Sequence, residues 1–200
     1  MKRVILTRHG ESTFSVRETM NGDPAVSGPL TEGGEEQARS LGRSLAGERI
    51  ELCATSEFER ARQTADIALA GRNVPRLVVP ELNDIRVGDF EGRFLSDYRA
   101  WAATESPLAE APGGGESRAA AAARYARAYR TLLARPEATI LVVAHGLPIR
   151  YVLLAAADED PTTTVAPVTY AVPHRLEAAD LERAVARLER WARDPVFATP

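Results

Sequence analysis

Four short runs, RVILT (3–7), IELCAT (50–55), RLVVP (76–80) and TILVVA (139–144), carry apolar residues side by side rather than at alternate positions. A strand with one wet face alternates. A strand covered on both faces does not, and such strands belong to parallel sheets sandwiched between helices. The intervening segments have helical spacing. In 31–47, Thr31 stands at a cap position and Ala38, Leu41 and Leu45 form one stripe. In 56–71, Ser56 precedes Glu59 by three residues, the spacing of a capping box, and Gly71 is placed to end the helix. Further helices are expected over about 116–134, over 147–157 with Pro148 in the first turn, and over 178–193. Strands alternating with helices predict an α/β fold: a mainly parallel central sheet flanked by helices on both faces.

The stretch 164–173 is expected to add an edge strand, because its prolines argue against a central one. Residues 93–115 are weakly patterned and read as a cap-like insertion over one end of the sheet. The flexible APGGGES (111–117) interrupts a domain rather than separating two, so 1–200 is expected to form a single domain. The last helix carries Leu181, Val185, Leu188 and Trp191 on one side. That stripe either docks on the body of the protein or forms the seam of a homodimer.

Composition excludes several classes of function. A net charge of −3 over 200 residues disfavours nucleic-acid binding, which needs a basic face. Cys53 is the one cysteine, leaving no disulfide framework and no thiolate metal cluster. The apolar run near the amino terminus is too short for a signal peptide, and no stretch approaches the roughly 20 apolar residues of a membrane span. The expectation is a soluble, cytoplasmic protein that does not engage membranes.

In an open α/β sheet, ligands bind beyond the carboxyl ends of the strands. His9 follows the first strand and His145 follows the fourth, and a glycine succeeds each. Two of the three histidines thus fall at one edge. Arg8 precedes His9, and Arg60 lies one turn into the helix after the second strand. A planar guanidinium binds phosphate through parallel hydrogen bonds. Neighbouring arginines and burial both disfavour an imidazolium, which would keep His9 neutral and nucleophilic. The third histidine, His174, is expected to be a surface or packing residue.

Six segments in order, LTRHGES (6–12), PLTEGGEEQA (29–38), SEFERARQTA (56–65), ELNDIRVGDFEG (81–92), GGGES (113–117) and VVAHGLPIR (142–150), resemble the histidine phosphatase superfamily, in its phosphoglycerate mutase-like branch. The resemblance runs from residue 4 to about 150. It implies a phosphoglycerate mutase-like three-layer sandwich, and His9 as the nucleophile that forms a phosphohistidine. Arg8, Arg60 and His145 would form the phosphate pocket. Asp84 would be the general acid and base, at a position where the family usually carries glutamate. Glu116 falls where the family lines the site, and Ser15 stands where many members carry an asparagine that contacts phosphate. The stretch NGDPAVSG (21–28) is longer than the usual connection. The resemblance implies neither metal nor cofactor, and a small phosphorylated metabolite as partner. The expected activity is that of a histidine acid phosphatase-type phosphoric monoester hydrolase. The alternatives are mutase-type phosphoryl transfer and a catalytically weak phospho-ligand binder.

Overall fold

The computed structural model describes residues 1–198. Its strands are β1 (Arg3–Arg8), β2 (Leu52–Thr55), β3 (Arg76–Val78), β4 (Thr139–Ala144) and β5 (His174–Glu177). Its helices are α1 (Thr13–Val16), α2 (Glu32–Ser44), α3 (Glu59–Ala68), α4 (Leu95–Thr104), α5 (Arg118–Leu133), α6 (Gly146–Ala156) and α7 (Ala178–Arg193). The strands form one sheet in the order β3-β2-β4-β1-β5. All neighbours run parallel except β5, which pairs antiparallel with β1 through Leu6 and His174 at one end and Arg3 and Glu177 at the other.

Both faces of the sheet are covered, as the unbroken apolar runs require. Val4, Leu6, Leu52, Ala54, Ile140 and Val142 point to one face and pack with α5, α6 and α7. Ile5, Cys53, Leu141 and Val143 point to the other and pack with α2 and α3. Every residue of β4, the central strand, is buried. The stripe of α7 is also spent on this core: Leu181, Val185, Leu188 and Trp191 are buried against the protein's own body. Each such side chain contributes roughly 1.5–3 kcal/mol on burial. The stripe is therefore no dimer seam.

Two expectations need correction. Residues 164–173 form no strand; the edge strand begins at His174, immediately after Pro173. The prolines do keep this stretch out of the sheet, and only Tyr170 bridges to Arg8. The second concerns α3, which starts at Glu59 with Phe58 as its cap residue, not at Ser56. The Ser56 hydroxyl lies 2.8 Å from His145 Nε2 and is occupied there. Glu59 instead accepts hydrogen bonds from Ser27, Gly28 and Gln63. Thr31 caps α2 as expected, accepting from the Gly34 amide, and Gly71 takes a φ of +75° beyond the end of α3.

The first turn of α2 presses on the segment after β1. A Cβ on Gly34 would overlap the carbonyl oxygen of Glu11, whereas one on Gly33 would approach nothing nearer than 3.4 Å. Gly34→Ala is therefore expected to destabilise the protein by about 1–3 kcal/mol, the usual cost of overpacking. Gly33→Ala is expected to be neutral or to stabilise by up to about 1 kcal/mol through helix propensity. Denaturant melts of the two variants check this, and equal behaviour would refute the tight contact.

Candidate active site

The ends of three parallel strands converge on one pocket. The His9 amide donates to the carbonyl of Ala144, which fixes the end of β1 against the end of β4. His145 follows β4 and is the cap residue of α6. Arg60 comes from the first turn of α3, just beyond β2. Thr64 ties these parts together: its hydroxyl donates to the Arg60 carbonyl and accepts from the Gly10 amide. The His9 and His145 rings lie edge to face, with centroids 5.2 Å apart.

His9 is 3% exposed. Its Nδ1 lies 2.6 Å from the carbonyl of Gly10, an acceptor only, so Nδ1 carries the proton. The lone pair is then on Nε2, and it accepts from Arg60 Nε at 3.2 Å. Burial, then the charges of Arg60 and Arg8, hold the imidazole well below the ordinary histidine range. The result is a neutral ring whose Nε2 lone pair meets the Arg60 guanidinium, with the charge of Arg8 also acting on it.

Those cations lack the usual partners. Among the described residues neither Arg8 nor Arg60 makes an ion pair with a carboxylate. Arg60 donates to the side-chain oxygen and the carbonyl of Asn21, and its guanidinium stacks 4.2 Å above the Phe58 ring. Burial lowers its pKa to about 10. Arg8 donates to the Val168 carbonyl and the Tyr170 hydroxyl and stacks on the Tyr170 ring at 3.9 Å. Its Nε is buried and has no partner. Buried charges are ordinarily neutralised by an opposite charge. Here dipoles and π-faces hold the cations in place and leave their charge to be matched by an incoming anion.

His145 is fully buried behind His9, with Phe58 packed edge-on at 4.6 Å. Its Nδ1 is 3.4 Å from an Arg60 nitrogen and 3.8 Å from Asp84 Oδ2. Burial, then Arg60, lowers its pKa well below the ordinary value. Asp84 lies in the loop after β3 and is shielded enough that burial raises its carboxyl pKa, against the opposing pull of Arg60. The Asp84 carboxyl, which burial pushes toward the protonated form, thus sits beside the His145 imidazole, which burial pushes toward the neutral form.

The structure brings Arg8, His9, Arg60, Asp84 and His145 together. Ser15 lines the same cavity, but its hydroxyl is shared with Ser12 at 2.9 Å in the capping box of α1. Glu116 is buried and paired with Arg124 at 2.6 Å, and it is not among the residues lining the cavity around His9. Several contributors escaped the sequence. Asn21, itself held by Glu91, fixes Arg60; Tyr170 fixes Arg8; Ser56 fixes His145. The Asn21 signal lay within the lengthened connection 21–28.

The site opens into a cavity of about 510 Å³. Its far wall is mostly apolar, with Leu95, Tyr98 and Ala102 from α4 facing Val165, Pro167 and Val168, and with Arg99 and Arg118 as polar elements. Residues 93–115 therefore contribute one wall, and the former strand candidate 164–173 contributes the other. No helix among the described residues is long and apolar enough to cross a membrane.

The sequence pattern of the histidine phosphatase superfamily (branch 1) matches residues 4–193. An adenosylcobalamin/alpha-ribazole phosphatase of Salmonella typhimurium is 39% identical over 107 residues, 50% of this chain and 52% of that protein. The match thus spans about half the length of that curated relative. A 2,3-bisphosphoglycerate-dependent phosphoglycerate mutase of Methylobacterium is 32% identical over 178 residues, 81% of this chain and 83% of the relative. The solved structure of YhfR from Bacillus stearothermophilus superposes with a TM-score of 0.77 at 30% identity, covering 88% of this chain and 90% of that one.

The depressed histidines give stability a defined pH dependence. Below the ordinary histidine pKa of about 6.5 the unfolded chain takes up protons that His9 and His145 in the fold refuse, so stability falls as pH falls. Each such histidine contributes a slope of about 1.4 kcal/mol per pH unit until its lower folded pKa is reached. His9→Gln is expected to flatten the acid limb by about that amount. Denaturant melts at several pH values between neutral and acid, in phosphate-free buffer, measure it; an unchanged slope would mean His9 titrates normally.

Proposed function

The chain belongs to the histidine phosphatase superfamily (branch 1), and from that premise we propose that it hydrolyses small phosphomonoesters through a phosphohistidine on His9. The observation that carries this reading is the pair of guanidinium groups beside His9, neither in an ion pair with a carboxylate, one of which donates to the His9 Nε2 lone pair. A phosphate dianion fits that electrostatic demand. At an effective dielectric near 20, a cation about 4 Å from one anionic charge gains about 4 kcal/mol before desolvation is subtracted.

In the first step His9 Nε2 attacks phosphorus in line, the N–P bond forms and the ester P–O bond breaks. Asp84, whose carboxyl burial pushes toward the protonated form, gives its proton to the departing oxygen. Arg8, Arg60 and His145 share the charge of the three equatorial oxygens. The Gly10 carbonyl accepts from Nδ1–H and so supports the positive charge of the phosphorylated ring. In the second step the Asp84 carboxylate takes a proton from water as the oxygen attacks phosphorus. The P–N bond breaks, the electron pair returns to Nε2, and Asp84 is protonated for the next cycle. Burial pushes the carboxyl and the imidazole in opposite directions, which suits one to carry the proton and the other to attack.

The substrate we infer is a small phosphorylated metabolite of the cytoplasm whose leaving group has substantial apolar surface, because the far wall of the cavity is built from Leu95, Tyr98, Ala102 and Val168. The enzyme would then be a phosphoric monoester hydrolase of the histidine acid phosphatase type. Mutase-type transfer is the second reading, favoured by the Methylobacterium relative. Against it stands the scarcity of cations on α4.

Quenched-flow labelling with a radioactive phosphoester is expected to leave acid-labile phosphate on the wild type and none on His9→Ala. With para-nitrophenyl phosphate, whose leaving group needs no acid, Asp84→Asn is expected to accumulate the labelled form while kcat falls about 10²–10⁴-fold. Labelling of His9→Ala would overturn the assignment. In a separate assay, 3-phosphoglycerate supplied with a bisphosphate primer is expected to yield inorganic phosphate in excess of 2-phosphoglycerate; the reverse ratio would select the mutase reading.

A further inference from the structure

We propose that Arg124, anchored by Glu116, is a positioning residue that sets the reach of the Asp84 carboxyl to the leaving oxygen. The inference rests on the reading of Asp84 as the general acid and goes beyond it by naming what holds the acid in place.

Asp84 sits in a stretch with little regular structure to hold it. Between β3 and α4 the chain makes two short turns of 3-10 helix, Pro80–Leu82 and Gly88–Phe90, and no ladder satisfies the carbonyls between them. Arg124, on the second turn of α5, takes over that task. Its Nε and one terminal nitrogen grip the two Glu116 oxygens at 2.9 and 2.6 Å. The same terminal nitrogen donates to the Asp84 carbonyl at 3.2 Å, and the other donates to the carbonyls of Asn83 and Glu81 at 2.8 and 2.9 Å. All five N–H groups of the guanidinium are thereby used, three of them on the backbone around the acid.

Glu116 completes the clamp. It is 5% exposed, its own amide donates to the Arg86 carbonyl at 2.8 Å, and its carboxylate accepts from the Arg86 amide. From the other side, Asn83 exchanges hydrogen bonds with the amide and carboxylate of Glu57, one residue after Ser56. The acid loop is thus tied to α5 and also to the β2–α3 junction that supplies Ser56 and Arg60. An aspartate is one methylene shorter than a glutamate, so backbone placement has to supply the reach. A fork of fixed planar geometry suits that purpose; a lysine offers one flexible point charge.

A clamp that only stabilised the fold would weaken all substrates alike. One that aims the acid weakens those whose leaving groups need a proton. The test compares kcat/KM, which reports departure of the leaving group, for glycerol phosphate and para-nitrophenyl phosphate. Arg124→Lys is expected to lower it about 10–100-fold for the alkyl ester, the cost of a misplaced catalytic group, and less than about threefold for the aryl ester. Inhibition by inorganic phosphate is expected to move less than about twofold. The double variant Arg124→Gln/Glu116→Gln, which leaves no unpaired buried carboxylate, is expected to behave in the same way and serves if the single variant folds poorly. Equal losses for the two esters, or no loss, would overturn the proposal. Asp84→Asn measured alongside separates the two claims. If it does not itself discriminate between the esters, the assignment of the acid fails; if it does while the Arg124 variants do not, only the clamp fails.

Discussion

Two guanidinium groups largely shielded from water, neither in an ion pair with a carboxylate, impose more on this structure than any other feature. An unpaired charge in a protein interior is costly, and the fold offsets the cost with dipoles and ring faces rather than with an anion. Asn21 and Phe58 serve Arg60; Tyr170 and the Val168 carbonyl serve Arg8. These four residues come from three loops distant in sequence, and each loop is in turn fastened elsewhere. Glu91 accepts from Asn21 and from the Gly22 amide, so even the cation's neighbours are braced from behind. Such an investment of structure in like-charged groups makes physical sense only around an anionic ligand.

The same charges sort the acid–base groups. His9 and His145 are driven toward neutrality by burial and by the arginines. Asp84 experiences burial too, but for a carboxyl burial favours the protonated form, and the arginines only partly reverse it. One environment thus pushes the imidazoles and the carboxyl in opposite directions. No separate device is needed for each, because desolvation acts with opposite sign on cationic and anionic acids.

Much of this was legible in the chain. The unbroken apolar runs fixed a sheet with two covered faces, and paired His–Gly steps at strand ends located the pocket. What stayed hidden has a common cause. Ser56 looked like a helix cap because its spacing to Glu59 suits one, yet the partner that claims its hydroxyl, His145, is remote in sequence. Tyr170 lay in a run whose prolines suggested an edge strand, whereas that run carries a ring to Arg8. Local spacing reports local hydrogen bonds; it cannot rank them against partners brought near by the fold. Glu116 illustrates the converse, since a motif placed it close to the site while its charge partner eight residues on, Arg124, decided which way it faces.

The division between chemistry and selection follows from where each part is rooted. His9 and His145 follow parallel strand ends, and Arg60 the helix just beyond another, and the side chains of those strands fill the core on both faces, so their places are set by the sheet. The cavity's far wall comes from α4 and from 163–168, segments outside the sheet, with Phe94 and Leu108 open to solvent around α4. Tyr98, Ala102 and Val168 of that wall nevertheless belong to the buried core, so only its exposed members can change without disturbing it. Asp84 belongs to neither class by location: it is in a loop, yet the role proposed for it requires the precision of a strand end. The clamp from α5 resolves that conflict, because it gives a loop residue a fixed connection to a helix packed on the sheet.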